Sequence, residues 1–347
     1  MDTYFHPRLN FIVGGNGSGK TSVLEVIYFL AHGRSFRSSQ LNRLICHDKT
    51  EFGLFGQFES AQGKMLLGVK RTTQGEARIR LDGTNLTSHL EVTKRLPVIL
   101  FNPEQFSLLI SNAKARRQLL DWGLFYHDPH FLKAWQDLRK GLKQRNAALK
   151  QKASQKMVQL WDPSIVKASE QLDQYRTRYV DLLLHALMQV VGSFLQDHHV
   201  ELSYYRGWAK DQSLAELLTQ HFEQDRKIGH TQYGPQRADL RVKVNGLPAS
   251  EVLSRGQQKL LICSLKIAQG LLLQQHTDHL PIFLLDDIVS EFDTHNATKI
   301  FEQLLPLQAQ LFISVIDPAL LPAIARQAEH QQIPLPFLLN HGTMPHC

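Results

Sequence analysis

The sequence predicts an α/β nucleotide-binding lobe assembled from both ends of the chain and interrupted by a helical insertion. Three observations carry this. A complete phosphate-binding loop occupies residues 14–21, helical periodicity with few prolines runs from Ala113 to Leu195, and strand-then-helix signals return from Leu240 onward. The 347 residues suit two domains at roughly 150 residues each, and an apolar share of 43% allows a sizeable core. No apolar run approaches the ~18–20 residues of a membrane span. Residues Met1 to Arg8 lack the basic-then-apolar pattern of a secretory signal, so a cytoplasmic protein is expected. The formal charge of +7 favours a polyanionic partner. Cys46, Cys263 and Cys347 lie far apart with no metal-ligand spacing.

The first element is the apolar run Leu9 to Val13, read as a strand. It feeds Gly14, Gly15, Asn16, Gly17, Ser18, Gly19, Lys20 and Thr21, the pattern G-x-x-x-x-G-K-[ST], which opens into a helix-like stretch from Ser22 to Leu30. Glycines let the loop curl so that its N–H groups face phosphate oxygens, and the helix adds the positive end of its dipole. Lys20 supplies charge for the β/γ-phosphates, and the Thr21 hydroxyl can hold Mg²⁺. A glycine-rich turn with an incidental lysine is the alternative, and it leaves the agreement of strand, loop and helix unexplained.

Residues 52–100 read as β-rich: Phe52 to Phe58, Met65 to Lys70 and Ala77 to Leu81 are strand-like, with a turn at Asp82-Gly83. Helical patterns follow, one through Phe131, Leu132, Trp135, Leu138, Leu142 and Leu149, another over Ile165 to Leu195. The expected division is 1–112, an N-terminal part of the lobe; 113–228, an inserted arm; and 229–347, the C-terminal part of the lobe.

The run Leu280 to Leu285 is all apolar, as in a strand buried on both faces, and ends in Asp286 and Asp287. If this strand neighbours the loop strand, Asp286 is the Mg²⁺-side carboxylate and Asp287 the residue that polarises the attacking water. The competing reading makes Asp287 a helix N-cap. Residues Leu253-Ser254-Arg255-Gly256-Gln257 precede another helical pattern. Ser254 and Gln257 have the spacing of a capping box, and a capped helix start is also an anion site at which Ser254 and the Gly256 backbone meet a γ-phosphate. The two readings are compatible.

In order and spacing, these motifs resemble the ABC-type ATPase head of the SMC and Rad50 kind, with a β-rich subdomain and an inserted helical arm. Ser290-Glu291-Phe292-Asp293 falls where that superfamily keeps its D-loop. The resemblance implies an ATP-sandwiched dimer, in which Ser254, Arg255, Gly256, Gln257 and Asp293 of one protomer meet ATP held by the loop, through Ser22, of the other. Further stretches are similar to the RecF recombination-mediator family over nearly the whole chain. They are Asn16 to Tyr28 followed by Gly33-Arg34-Ser35-Phe36-Arg37, Pro103-Glu104, Arg116-Arg117 with Leu120-Asp121-Trp122, Leu142 to Leu149, Gly234-Pro235 with Arg237 to Leu240, and Leu253 to Leu260. What the resemblance implies is a nucleoid-associated DNA-repair ATPase, using ATP and Mg²⁺, that binds single- and double-stranded DNA at gaps and junctions. With RecO and RecR it helps load the RecA recombinase.

Some residues depart from the family. Its members usually begin with an extra strand and an arginine-containing turn, whereas only Met1 to Arg8 precede the loop strand here. Either the true start lies upstream or that strand is missing, which leaves a sheet edge uncovered. Gln236 replaces the family's usual histidine. Asp287 stands where most ABC ATPases carry Glu, although Asp-Asp is normal in the family this chain resembles, and its shorter reach implies weak, slow hydrolysis. No histidine follows the strand Leu311 to Val315, where transporter ATPases keep a switch histidine; Ser314 is its only nearby polar side chain.

The arm is rich in cations, with Arg139, Lys140, Lys143 and Arg145 recurring at helical intervals beside the apolar stripe. That places them on a shared outer face suited to sequence-independent, salt-sensitive phosphate contacts. Arg34 and Arg37 either couple DNA contact to nucleotide or stitch the lobe together. The alternative from another class is the ATPase subunit of a transporter or of an SMC-like complex. The missing switch histidine and the basic arm argue against the first, and the shortness of the helical insertion against the second.

Overall fold

The structure, a computed structural model, describes residues 2–38, 40–46, 48–60, 63–316 and 337–340. The chain divides into two compact units, one drawn from 1–103 and 278–347 and the other spanning 104–277.

The first unit holds a five-stranded sheet in the order Phe337–Asn340, Leu9–Val13, Gln310–Val315, Ile282–Leu285, Val98–Phe101. All its pairings are parallel. Leu9, Phe11 and Ile12, Phe283 to Leu285, and Leu311 to Ile313 are buried, the continuous apolar pattern of strands covered on both faces. Leu9–Val13 is flanked on both sides by parallel partners, so no edge opens there. Helix Lys20–His32 buries Val23, Leu24 and Ile27 in one core with Ile12, Leu284 and Phe312.

That core also takes one face of a four-stranded antiparallel sheet, Glu51–Ser60, Gly63–Thr72, Ala77–Leu81 and Thr84–Leu86. Met65, Leu67, Val69, Ile79 and Leu81 point inward at period two. The Asp82-Gly83 turn has positive φ at both residues, 48° and 84°, the twist a tight hairpin needs. Among the described residues, Glu51–Ser60 has a strand partner on one side only.

The second unit packs helices Ala113–His127, Phe131–Lys150, Asp162–Val191 and Arg255–His276 around one core that includes Leu120, Leu138, Leu172, Leu183 and Leu265. A three-stranded antiparallel sheet, Val200–Tyr205, Asp239–Val244 and Leu247–Pro248, joins it. Its bounds differ from those expected for an arm at 113–228. Residues 229–277 pack with the arm helices because Arg255–His276 presents Leu261, Leu265, Ala268 and Leu272 to the same core.

Candidate nucleotide-binding site

The loop after Leu9–Val13 turns on two left-handed glycines, Gly17 at φ 78° and Gly19 at φ 91°, a conformation that L side chains rarely adopt. A Cβ added at Gly15 or Gly17 meets nothing within 4 Å, so the loop faces open space. Gly14 N–H donates to Val315 O at 3.2 Å and Ser18 N–H to Gly15 O at 3.3 Å, which fixes the curl at the carboxyl end of the sheet. Lys20 is only 5% exposed. Its Nζ donates to Gly14 O at 2.8 Å and Gly15 O at 2.9 Å. Among the described residues no carboxylate pairs with it. The first turn of its helix holds no acidic residue, so the dipole's positive end is not neutralised locally. Ser18 Oγ is buried without a hydrogen-bond partner among the described residues. A buried cation with no counter-ion among the described residues, at a helix start under open space, fits a phosphate chain.

Thr21 Oγ1 donates to Asp286 Oδ1 at 3.0 Å. The two meet although Gln310–Val315 lies between their strands, so the strands need not be neighbours as the sequence reading supposes. Hydroxyl and carboxylate together are hard oxygen donors of the kind that suits Mg²⁺. Asp287 takes the left-handed conformation at φ 52°, ψ 22°, and precedes a 3₁₀ turn without capping it through its side chain. Instead, its N–H donates to Ser314 Oγ at 2.8 Å. Ser314 Oγ in turn lies 3.2 Å from Asp286 Oδ1 and 3.3 Å from Asp287 Oδ1. Ser314 thus ties both carboxylates to the sheet, a role the sequence reading left unassigned. Its signal is a polar residue inside an otherwise apolar strand, buried to 1% exposure.

Burial pushes the Asp286 carboxyl above the usual range. The Thr21 hydrogen bond opposes this, the charge of Asp287 adds to it, and Ser314 and Arg37 oppose it. The folded state therefore binds a proton at a pH where the unfolded chain has released it. Stability contributed by this group is present at low pH and is lost as pH rises through the raised value. Asp286→Asn keeps the acceptor for Thr21 and removes the charge. The ligand-free variant is expected to melt above the wild type at neutral pH, with the gap closing as pH falls into the ordinary carboxylate range. Thermal melts across pH check this; a variant that melts below the wild type at pH 7 contradicts it.

In the second unit, Ser254 and Gln257 form a full capping box: Gln257 N–H donates to Ser254 Oγ at 3.3 Å and Ser254 N–H to Gln257 Oε1 at 2.9 Å. Ser254, Arg255 and Gly256 are exposed, and a Cβ at Gly256 meets nothing within 4 Å. Asp293 caps helix Thr294–Leu304 by accepting from Asn296 N–H at 2.8 Å, and that bond holds its carboxyl below the usual range. Gln236, in place of the family's histidine, donates to Tyr233 O at 2.8 Å.

The expected DNA-facing cations separate into kinds. Lys140 and Lys143 are exposed, and the exposed Arg139 stacks over Trp135 at 4.6 Å. Arg145 is a correction. It is fully buried, donating to Asp162 Oδ1 at 2.8 Å and Asp225 Oδ2 at 2.6 Å, so it cannot reach a phosphate backbone. Arg34 is exposed. Arg37 lies 3.7 Å from the buried Glu25, which also accepts from Ser35 Oγ; that contact stitches the lobe while leaving most of the guanidinium in solvent.

Comparison with known proteins adds to this geometry. Residues 1–330 match the family described as the RecF/RecN/SMC N-terminal domain. The DNA replication and repair protein RecF of Shewanella baltica (strain OS223) is 44% identical over 313 residues, covering 90% of this chain and 87% of the relative. The RecF protein of Shewanella sp. (strain MR-7) is 43% identical over 311 residues, covering 90% and 86%. A solved structure of the recombination mediator protein RecF-ATP in the RecFOR pathway aligns with a TM-score of 0.82 at 25% identity, covering 91% of this chain and 88% of the other. The Smc head domain of Pyrococcus furiosus aligns at a TM-score of 0.54 and 14% identity, over 92% and 86% of the two chains. The fold is that of an ABC-type ATPase head. No helix among the described residues is long and apolar enough to cross a membrane.

Proposed function

The chain belongs to the RecF family, and from that premise we propose that it is an ATP-dependent DNA-binding recombination mediator of DNA replication and repair. The observation that carries this reading is Lys20, buried and, among the described residues, held by two loop carbonyls, next to the Thr21–Asp286 pair. Lys20 and the loop N–H groups bind the β- and γ-phosphates of ATP. Thr21 and Asp286 would hold Mg²⁺, which would supply charge neutralisation to the phosphates. Asp287, fixed by Ser314, orients the attacking water. Ser254 and the Gly256 backbone, exposed at their helix start, meet the γ-phosphate of a second protomer, so ATP joins the dimer and its hydrolysis releases it. Exposed arm cations such as Lys140 and Lys143 hold DNA by its phosphates. The solved relative is a recombination mediator of the RecFOR pathway, which supports RecO and RecR as partners; the output of the proposed activity is RecA loading on single strands.

Gel shift on gapped DNA, with and without ATP and at two salt concentrations, tests the reading. Binding that needs ATP and falls steeply with salt is expected; no binding at low salt with ATP overturns it. Asp287→Asn keeps the oxygen facing Ser314 and loses the base. It is expected to accumulate as an ATP-bound dimer, measured by light scattering with ATP and Mg²⁺, with hydrolysis at least about tenfold slower. A variant that stays monomeric with ATP contradicts the sandwich.

A further inference from the structure

The outer face of the four-stranded antiparallel sheet is built unlike its inner face. Inward positions pack into the core, yet on the outward side Phe55 is 71% exposed and Leu66 44% exposed. Phe55 lies opposite Gly68, which lies opposite Arg80, which lies opposite Asn85. In the adjacent row Gly53 lies opposite Lys70, which lies opposite Arg78. A Cβ at Gly53 or Gly68 meets nothing within 4 Å. The middle of the face is therefore a strip of bare backbone, with one aromatic ring beside it and two arginines beyond it.

The charges on this face are also uneven. Lys64 is matched by Glu59 at 3.1 Å and Lys70 by Glu51 at 2.7 Å. Arg78 and Arg80 are exposed, and among the described residues neither pairs with a carboxylate. Arg80 Nε only donates to Gly83 O at 3.1 Å. Neighbouring strands are about 4.8 Å apart, so Phe55 and the arginine strand, two steps away, are about 10 Å apart. An exposed ring adds nothing to the core, and on a sheet it is an aggregation hazard unless something uses it.

We propose that this face binds single-stranded nucleic acid, with one base stacked on Phe55 over the Gly53–Gly68 strip and the flanking phosphates held by Arg78 and Arg80. A duplex keeps its base faces stacked inside, whereas an unpaired strand offers them to an aromatic platform. The positive charge left on the arginine strand favours a polyanion over a neutral peptide. The inference rests on the DNA-binding reading above and adds a contact surface on the antiparallel sheet to the arm cations.

Fluorescence anisotropy with a labelled oligo-dT and with a duplex of equal length, in the presence of ATP, tests it on the full chain. Phe55→Ala is expected to weaken oligo-dT binding about tenfold and duplex binding less than twofold, while Phe55→Trp retains both. Arg78→Ala with Arg80→Ala lowers oligo-dT affinity and flattens its salt dependence. Gly68→Val, which fills the bare strip at a site with open space, is expected to mimic Phe55→Ala without lowering the melting temperature. If the wild type binds neither DNA, the DNA-binding reading itself fails. If the wild type binds and Phe55→Ala and Gly68→Val bind oligo-dT as it does, or if both DNAs are weakened equally, this surface is not the single-strand contact.

Discussion

Replacing Lys20 with alanine is expected to abolish ATP binding while leaving the fold intact. Among the described residues the ammonium has two partners, both carbonyls of its own loop, and it sits at 5% exposure with no carboxylate paired to it. Burying a charge this way costs stability unless a ligand completes its shell. Removal therefore relieves the ligand-free protein and penalises only the complex. Hydrogen bonds to charged groups are each worth about 1.5–3 kcal/mol, and Lys20 supplies more than one to a triphosphate. The loss is about 3 kcal/mol or more, which is at least a hundredfold in affinity. Titration calorimetry with ATP and Mg²⁺ measures it, and a thermal melt without nucleotide shows whether the variant is as stable as the wild type. Tight ATP binding by Lys20→Ala removes the loop assignment and, with it, the composite site.

What was legible in the sequence was local. The phosphate loop follows from spacing alone, because its glycines, Lys20 and Thr21 act within one strand, turn and helix start. Ser254 and Gln257 have a spacing that serves a capping box and an anion site alike, and the box is formed. The buried strand ending in Asp286 was legible from its unbroken apolar run, although Thr21 reaches Asp286 past an intervening strand. The anchor of that carboxylate pair was not legible, since Ser314 lies 28 residues from Asp286 and only the sheet brings them together. The bounds of the compact units are not legible locally for the same reason. Helical periodicity shows that Arg255–His276 has an apolar face but not which core receives it. Cations were the hardest to sort. Periodicity gives Lys140, Lys143 and Arg145 equal standing, and carboxylates distant in sequence decide which of them is a surface charge.

Arg145 shows what that decision costs. Its Nε meets Asp162, 17 residues away, and its Nη1 meets Asp225, 80 residues away. Thr231 Oγ1 at 2.8 Å and Leu218 O at 3.2 Å accept two more of its hydrogens. Asp225 is fully buried, and burial pushes the Asp162 carboxyl up, with Arg145 pulling it back and Asp225 pushing it further. Arg145→Met keeps most of the volume but leaves two buried carboxylates without their cation, a change that typically costs about 3–5 kcal/mol. Urea denaturation at pH 7 is expected to show that loss. The sign of its pH dependence follows from linkage. Burial already raises the Asp162 carboxyl, and removing Arg145 takes away the group that pulls it back, so the variant's fold gains a proton there and its deficit shrinks as pH falls toward the ordinary carboxylate range. Lys140→Ala with Lys143→Ala, on exposed positions, is expected to change stability by less than about 0.5 kcal/mol while lowering DNA affinity and its salt dependence. An Arg145→Met protein as stable as the wild type at pH 7, or one whose deficit grows on acidification, shows that the buried cation is not what holds Asp162 and Asp225 in the fold.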